Sequence, residues 1–395
     1  MDNTQEQFDA TFFSDPFPTF AKLRRHAPVQ KIDDVYGRGA GWLVTRFDDV
    51  LTVLKDPRFV LAVEDQRPTS GSLMRVYPNL TGTDGPYHRR LRRAVSKGFT
   101  PRFVEGLRPR VKRLAHELID EIEAADGREF DFIGAFAFPL PIDVISYMLG
   151  LPTSDREKLR AWSEIIFDDL GGDTSQHPEE MAEFVIYLKG LFERKRTNPE
   201  DDLISALVRV EEGEDALSEE ELIGMVTVLI FAGHETTKNL LGNGVLALLT
   251  HPEQLAKLRA QPELMPGAVE ELLRLESPST MVIPRYATED IMLGEHLIRA
   301  GEMVVPSPSS ANRDEAQFTD PETLDIARQL NKHIAFGQGV HYCLGAPLAR
   351  LEAQEALAAL LERFPELTLN ADPENLTWRA NPALRGLSAL PLRYG

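Results

Sequence analysis

Residues 218–250 constrain the fold more than any other part of the chain. Ser218 and Glu221 stand at the spacing of a capping box, and LIGMVTVLIF follows as a nearly unbroken apolar run. A helix apolar on all its faces must be covered by protein on all of them, so this one is predicted to cross the core. The rest of the chain has to supply that cover. Apolar residues at spacings of three and four predict further helices over residues 103–125, 262–275 and 345–364. Strand-like patches are short, notably residues 41–46 and 285–305, the latter turning about Gly294. The expected fold is mainly α with a minor β region. No linker, repeat or low-complexity tract divides it, so one domain over residues 1–395 is expected.

The apolar run ends in AGHETT, which places Gly233, Glu235, Thr236 and Thr237 in mid-helix. A glycine there costs about 1 kcal/mol relative to alanine, and threonine hydroxyls bond back to the preceding turn, so a local distortion is expected. An acid beside a hydroxyl at such a point suggests proton delivery. A hydrogen-bonded structural pair is an equally ordinary outcome.

Cys343, the only cysteine, lies in FGQGVHYCLG, a glycine-spaced loop that runs into a helix-forming stretch. Alone it forms no intrachain disulfide and no multi-ligand structural zinc site. A buried apolar filler, a catalytic nucleophile and the single protein ligand of a large cofactor remain. The chain is 43% hydrophobic and 27% charged, with 43 basic and 62 acidic side chains and a net charge of −19, which argues against general binding of nucleic acid or anionic membrane. A polar start, MDNTQEQFDA, and the lack of any long apolar stretch read as a cytoplasmic protein without a membrane anchor. Residues 89–113 depart from this acidity, carrying ten Lys or Arg against Glu105. Such a patch suits an acidic partner or an anionic cofactor, or is simply a solvated helix face. In EELLR, Glu271 and Arg274 lie three apart and can pair; taken alone, that spacing reads as a surface salt bridge.

Taken together and in order, AGHETT, Glu271 with Arg274, and FGQGVHYCLG make the chain resemble the cytochrome P450 family of haem-thiolate monooxygenases over nearly its whole length. The resemblance implies a triangular helical prism with haem b between the central helix and the cysteine-ligand helix. Cys343 would be the axial ligand of the iron, within a loop whose Phe336, Gly337 and Gly345 border the haem, with Ala232 on the opposite face. His88 and Arg92 in TDGPYHRRLRR, Arg285 in PRYATED, and His341 would meet the haem propionates, as planar guanidinium forks and imidazole donors suit carboxylates. Thr236, aided by Glu235, would hold oxygen or water and relay protons. A thiolate donates electron density to iron and favours O–O cleavage; a helix expected from Leu344 onward would put its positive end beside the sulfur, and Gly337, Gly339 and Gly345 would let backbone amides approach it.

The resemblance further implies O2 as co-substrate and NAD(P)H acting through a separate ferredoxin or flavodoxin with its reductase, no appended reductase domain, and a monomer. Docking of that acidic carrier would use the 89–113 cluster. Two departures from the family pattern stand out: Gly85 where a proline is common, expected to loosen the loop, and Thr323 where an arginine usually meets the Glu271–Arg274 pair, with Arg328 as a candidate substitute. Expected pocket walls are Leu73, Met74, Val76, Val228, Ala232, Met281, Val282, Ile283 and Leu384, with Arg67 and Arg75 facing water rather than anchoring a carboxylate. These apolar walls point to hydroxylation or epoxidation of a polyketide, terpenoid, steroid or fatty acid. The competing readings are a non-catalytic haem sensor or carrier, a partner-recruiting domain of the same fold, and a cysteine-nucleophile hydrolase, for which the supporting pattern is missing.

Overall fold

The computed structural model describes residues 10–36, 38–61, 73–168, 177–209 and 216–395. The predicted central helix is present as Glu219–Thr250, 32 residues long. Ser218 Oγ accepts from the Glu221 amide while the Glu221 carboxylate accepts from the Ser218 amide, completing the capping box. Its apolar half is buried throughout, and the helix as a whole packs against Pro139–Leu149, Met265–Leu275 and Ala346–Arg363. The helix does not break at AGHETT. The expected distortion is limited to hydroxyls bonding the preceding turn, Thr236 Oγ1 to Ala232 O at 2.9 Å and Thr237 Oγ1 to Gly233 O at 3.4 Å. A Cβ at Gly233 would lie 3.1 Å from the Ile145 side chain, so the two helices pack closely there.

The other predicted helices run Pro101–Ala124, Met265–Leu275 and Ala346–Arg363, the last beginning two residues after the expected Leu344 because Gly345 is its N-cap. Pro101–Ala124 and Ala346–Arg363 pack along each other. The β region comprises a three-stranded sheet in the order Glu129–Asp131, Pro391–Arg393 and Thr368–Leu369, a separate hairpin of Ile291–Leu293 and His296–Ile298 turning at Gly294, and a five-stranded sheet in the order Val29–Ile32, Gly41–Val44, Met303–Pro306, Arg285–Ala287 and Phe59–Val60. The sheet's contribution to the site is Arg285, in register with Val304.

Glu271 and Arg274 are not a surface pair. Both are fully buried, and the guanidinium donates to the carboxylate twice at 2.8 Å. Arg328 Nε reaches the same carboxylate at 3.0 Å and so fills the third place. Thr323 contributes its main chain instead, its carbonyl accepting from Arg274 and Arg328 at 3.1 Å each.

Candidate active site

One apolar cavity of about 380 Å³ gathers ten of the eleven sequence-predicted site residues: His88, Arg92, Ala232, Thr236, Arg285, Phe336, Gly337, His341, Cys343 and Gly345. Glu235 is the exception. Of the expected walls, Met74, Val228, Met281, Val282, Ile283 and Leu384 line it, joined by Leu80, Leu229 and Leu240. Leu73 and Val76 do not. Leu73 is buried in the main core, and the short helix carrying both, Leu73–Val76, presents Met74 to the cavity. Arg67 and the side chain of Arg75 lie outside the described residues.

The cysteine loop is held from behind. Cys343 N donates to Phe336 O at 2.9 Å, which folds the loop back on itself. Gly339 adopts φ +77, and a Cβ there would meet Leu54 O at 2.7 Å, so the turn requires glycine. Arg350 lies over the Phe336 ring, 4.4 Å from its centroid, and grips Glu270 at 2.7 and 2.8 Å, while His333 Nε2 reaches Glu270 at 3.0 Å. Burial pushes the Glu270 carboxyl up, but His333 and Arg350 outweigh it and hold the group down at about 2, so the pair stays ionised. Cys343 is exposed because the cavity opens directly onto it, although protein encloses it on its other sides. That enclosure raises the thiol pKa, opposed by the Gly345 and Ala346 amides and by Arg92 and Arg350.

A cationic cradle lies beside the sulfur. The His88 and His341 rings are 4.2 Å apart, and His341 Nε2 pairs with Asp84 Oδ1 at 2.8 Å. Asp84, which the sequence reading missed, also accepts from the Leu61 amide at 2.6 Å and so ties three segments together. The departure at Gly85 is one of shape: its φ of +58 lies outside what a proline ring permits. Burial lowers the pKa of His88 to about 4, helped by His341 and Arg92, and burial also lowers Arg92 and Arg285. His88 Nε2 and Arg285 Nε are buried without hydrogen-bond partners. Donors left unsatisfied beside an apolar cavity fit an anionic group entering it. A thiol, apolar walls and a cradle suited to two carboxylates are the donor set that a haem requires.

On the opposite wall, Thr236 faces the cavity while Glu235, one residue earlier, is 3% exposed and turned into the protein. Its carboxylate accepts from Lys238 Nζ and from Arg379 Nη1, each at 2.7 Å. Burial pushes the Glu235 carboxyl up, but Lys238, Arg379 and His234 outweigh it and leave it below the usual range. Neither cation was legible from sequence, although Lys238 stands at a spacing of i+3 that could have suggested the first.

The basic cluster is partly consumed by structure. Arg90 pairs with Glu221, Arg108 with Glu105 and Glu355, and Arg110 stacks on Tyr147 at 3.7 Å. Arg89, Lys97, Arg102 and Lys112 remain exposed. No helix among the described residues is long and apolar enough to cross a membrane.

A single thiol is thus presented from a loop to an apolar cavity, opposite a threonine of a core-crossing helix. Residues 133–383 match the cytochrome P450 family. The chain is 44% identical to the cytochrome P450 monooxygenase PikC of Streptomyces venezuelae, over 97% of this chain and 92% of that one. Among solved structures it superposes on PksS, the cytochrome P450 of the Bacillus subtilis bacillaene polyketide synthase, with a TM-score of 0.89 at 39% identity, covering 98% and 99% of the two chains. It also superposes on the myxobacterial CYP267B1 in complex with myristic acid, with a TM-score of 0.91 at 36% identity and 99% coverage of each. The chain belongs to the cytochrome P450 family, and within it is a monooxygenase of mainly apolar small molecules that uses haem iron, O2 and electrons delivered by partner proteins.

Proposed function

We propose that Cys343 would supply the thiolate that holds the iron of haem b and that the cavity beyond it binds a polyketide or fatty-acid-like molecule for hydroxylation or epoxidation. The observation that carries this reading is the meeting of Cys343, the His88–Arg92–Arg285–His341 cradle and Thr236 around one apolar cavity. Bound there, haem supplies the redox chemistry that activates O2 and inserts one of its atoms into the substrate. Arg92 and Arg285 would pair with the two propionates, with His88 and His341 beside them as hydrogen-bond donors. Phe336, Gly337 and Gly345 shape the sulfur side, and Ala232 leaves room on the other. The Gly345 and Ala346 amides stabilise the thiolate. Met281, Val282, Ile283 and Leu384 exclude water and orient the substrate. PksS is by its name the cytochrome P450 of a polyketide synthase, and the CYP267B1 structure holds myristic acid; both classes match walls of this kind. The chain acts as one haem domain over residues 1–395, a cytoplasmic monomer reduced by a ferredoxin or flavodoxin that draws on NAD(P)H. The test is a spectral-shift screen of polyketides and fatty acids followed by product analysis with surrogate redox partners. A sensor or carrier would bind ligands and form no product.

Thr236 keeps its hydroxyl at the cavity by donating to Ala232 O, which leaves its lone pairs to accept a proton from elsewhere and its position fixed. Thr236→Ala is expected to lower product formation by about a hundredfold, the usual worth of a positioned proton donor, while NAD(P)H consumption continues. Equal losses of both would assign the residue to electron delivery or folding instead.

The carrier docks on the exposed cations near the cysteine-side helix. Arg102→Glu or Lys112→Glu is expected to slow reduction by ferredoxin roughly tenfold at low salt, within the range that electrostatic steering supplies, with the difference shrinking at high salt. Stopped-flow reduction rates that do not respond to either substitution would remove this surface from consideration.

A further inference from the structure

Glu235 is gripped by a residue of a turn that also supplies part of the cavity wall. The segment from Trp378 to Leu387 is a tight turn, closed by the Trp378–Leu387 bridge and by Arg379 N donating to Gly386 O at 3.0 Å. At its tip, Asn381 Oδ1 accepts from the Ala383 and Leu384 amides at 2.9 and 3.0 Å. Ala383 and Leu384 line the cavity, and Ala383 O accepts from the Thr280 amide at 2.9 Å, beside the Met281 wall. The other side of the same turn faces the central helix, where Arg385 O accepts from Asn243 Nδ2 at 3.0 Å and Arg379 Nη1 binds the Glu235 carboxylate at 2.7 Å. A few hydrogen-bonded residues therefore separate a surface that a substrate would touch from the cation that holds the acid.

The two cations on Glu235 differ in what can move them. Lys238 stands three residues along the same helix, and travels with the acid; from the helix Arg156–Asp168, Glu164 attracts it as well. His234, adjacent to Glu235, is tied to Ile230 O at 2.8 Å and to Ser163 Oγ at 2.7 Å and is neutral at physiological pH, burial having lowered its pKa to about 4. Asn239 Nδ2, at 3.5 Å, carries no charge. Among these neighbours, Arg379 is the one carried by the turn whose tip, Ala383 and Leu384, lines the cavity.

Building on the proposed role of Glu235 in proton delivery, we infer that Arg379 is a positioning residue that makes this delivery conditional on a molecule filling the cavity. With the cavity empty, the turn holds the guanidinium on Glu235, which stays ionised and faces away from Thr236. A molecule pressing on Ala383 and Leu384 shifts the turn and loosens the Arg379 contact. Held then by Lys238 as its one cation, the carboxylate takes one proton from solvent hydronium, passes one on to the Thr236 hydroxyl side and is reprotonated after each transfer. Protons are then supplied when a substrate is in place to use them.

The test is infrared difference spectroscopy of the haem-loaded protein on addition of phenylimidazole or myristyl alcohol, neither of which has a carboxyl group, with the Soret shift recorded on the same sample to register binding. In the wild type, binding is expected to produce a protonated-carboxyl signal that Glu235→Gln lacks. In Arg379→Gln that signal is expected before any ligand is added, and Arg379→Lys is expected to restore ligand dependence. A wild-type Soret shift with no carboxyl change, or an Arg379→Gln protein that responds as the wild type does, overturns the inference while leaving the oxygenase reading intact. A wild-type protein without thiolate-haem absorption overturns both.

Discussion

Cys343→Ser is expected to abolish the thiolate-haem absorption of the reduced, carbon-monoxide-treated protein and to lower product formation by at least a thousandfold, about 4 kcal/mol of barrier. The sulfur is the one soft, ionisable atom on its side of the cavity, and although burial raises its pKa, the Gly345 and Ala346 amides, Arg92 and Arg350 all favour the anion. Serine reproduces the shape of the side chain and keeps the main-chain bond from residue 343 to Phe336 O, but its hydroxyl does not ionise under these influences. The loss is thus of electron donation rather than of fold, and far-ultraviolet circular dichroism should be unchanged. A serine variant that retains the absorption band and turns over substrate would exclude Cys343 as the ligand and return it to the class of buried fillers.

The parts of the protein legible from sequence were those fixed by local pattern. The Ser218 capping box and the apolar run after it specify the central helix, since both act within a few residues. The FGQGVHYCLG loop could be placed because its glycines and its cysteine are consecutive in the chain. What could not be read depends on residues brought together from afar. Arg379 reaches Glu235 across 144 positions and Asp84 reaches His341 across 257, and no local spacing encodes either. Leu73 failed as a wall residue for a related reason: on a helix of four residues, one step of about 100° decides between core and cavity. The basic cluster misled in the other direction, because composition counts charges without their partners. Arg90 and Arg108 are spent on Glu221 and Glu355, which lie on other helices.

Glu271→Gln is expected to destabilise the protein by about 3–5 kcal/mol, the cost of breaking a buried ion pair and leaving a charge without compensation. The carboxylate accepts from Arg274 Nε and Nη2, from Arg328 Nε, from Asn331 Nδ2 at 3.0 Å and from the Asp325 amide at 3.0 Å. A glutamine keeps the volume but leaves two guanidinium groups with no anion, one of them fully buried. The effect should reach the site, since Arg274 also donates to the carbonyls of Asn312 and Pro321 at 2.9 and 2.6 Å, and Asn312 Oδ1 in turn accepts from the Ile334 amide at 2.8 Å, at the entry to the cysteine loop. Urea unfolding should show the loss of stability, and transfer of haem to apomyoglobin should be faster than from the wild type. Arg328→Ala should cost less, because its side chain is 12% exposed and water can replace it. If Glu271→Gln unfolded within about 0.5 kcal/mol of the wild type, as a surface substitution does, the network would not be what holds the cysteine loop in place, and the grip of Arg350 on Glu270 would have to carry that role alone.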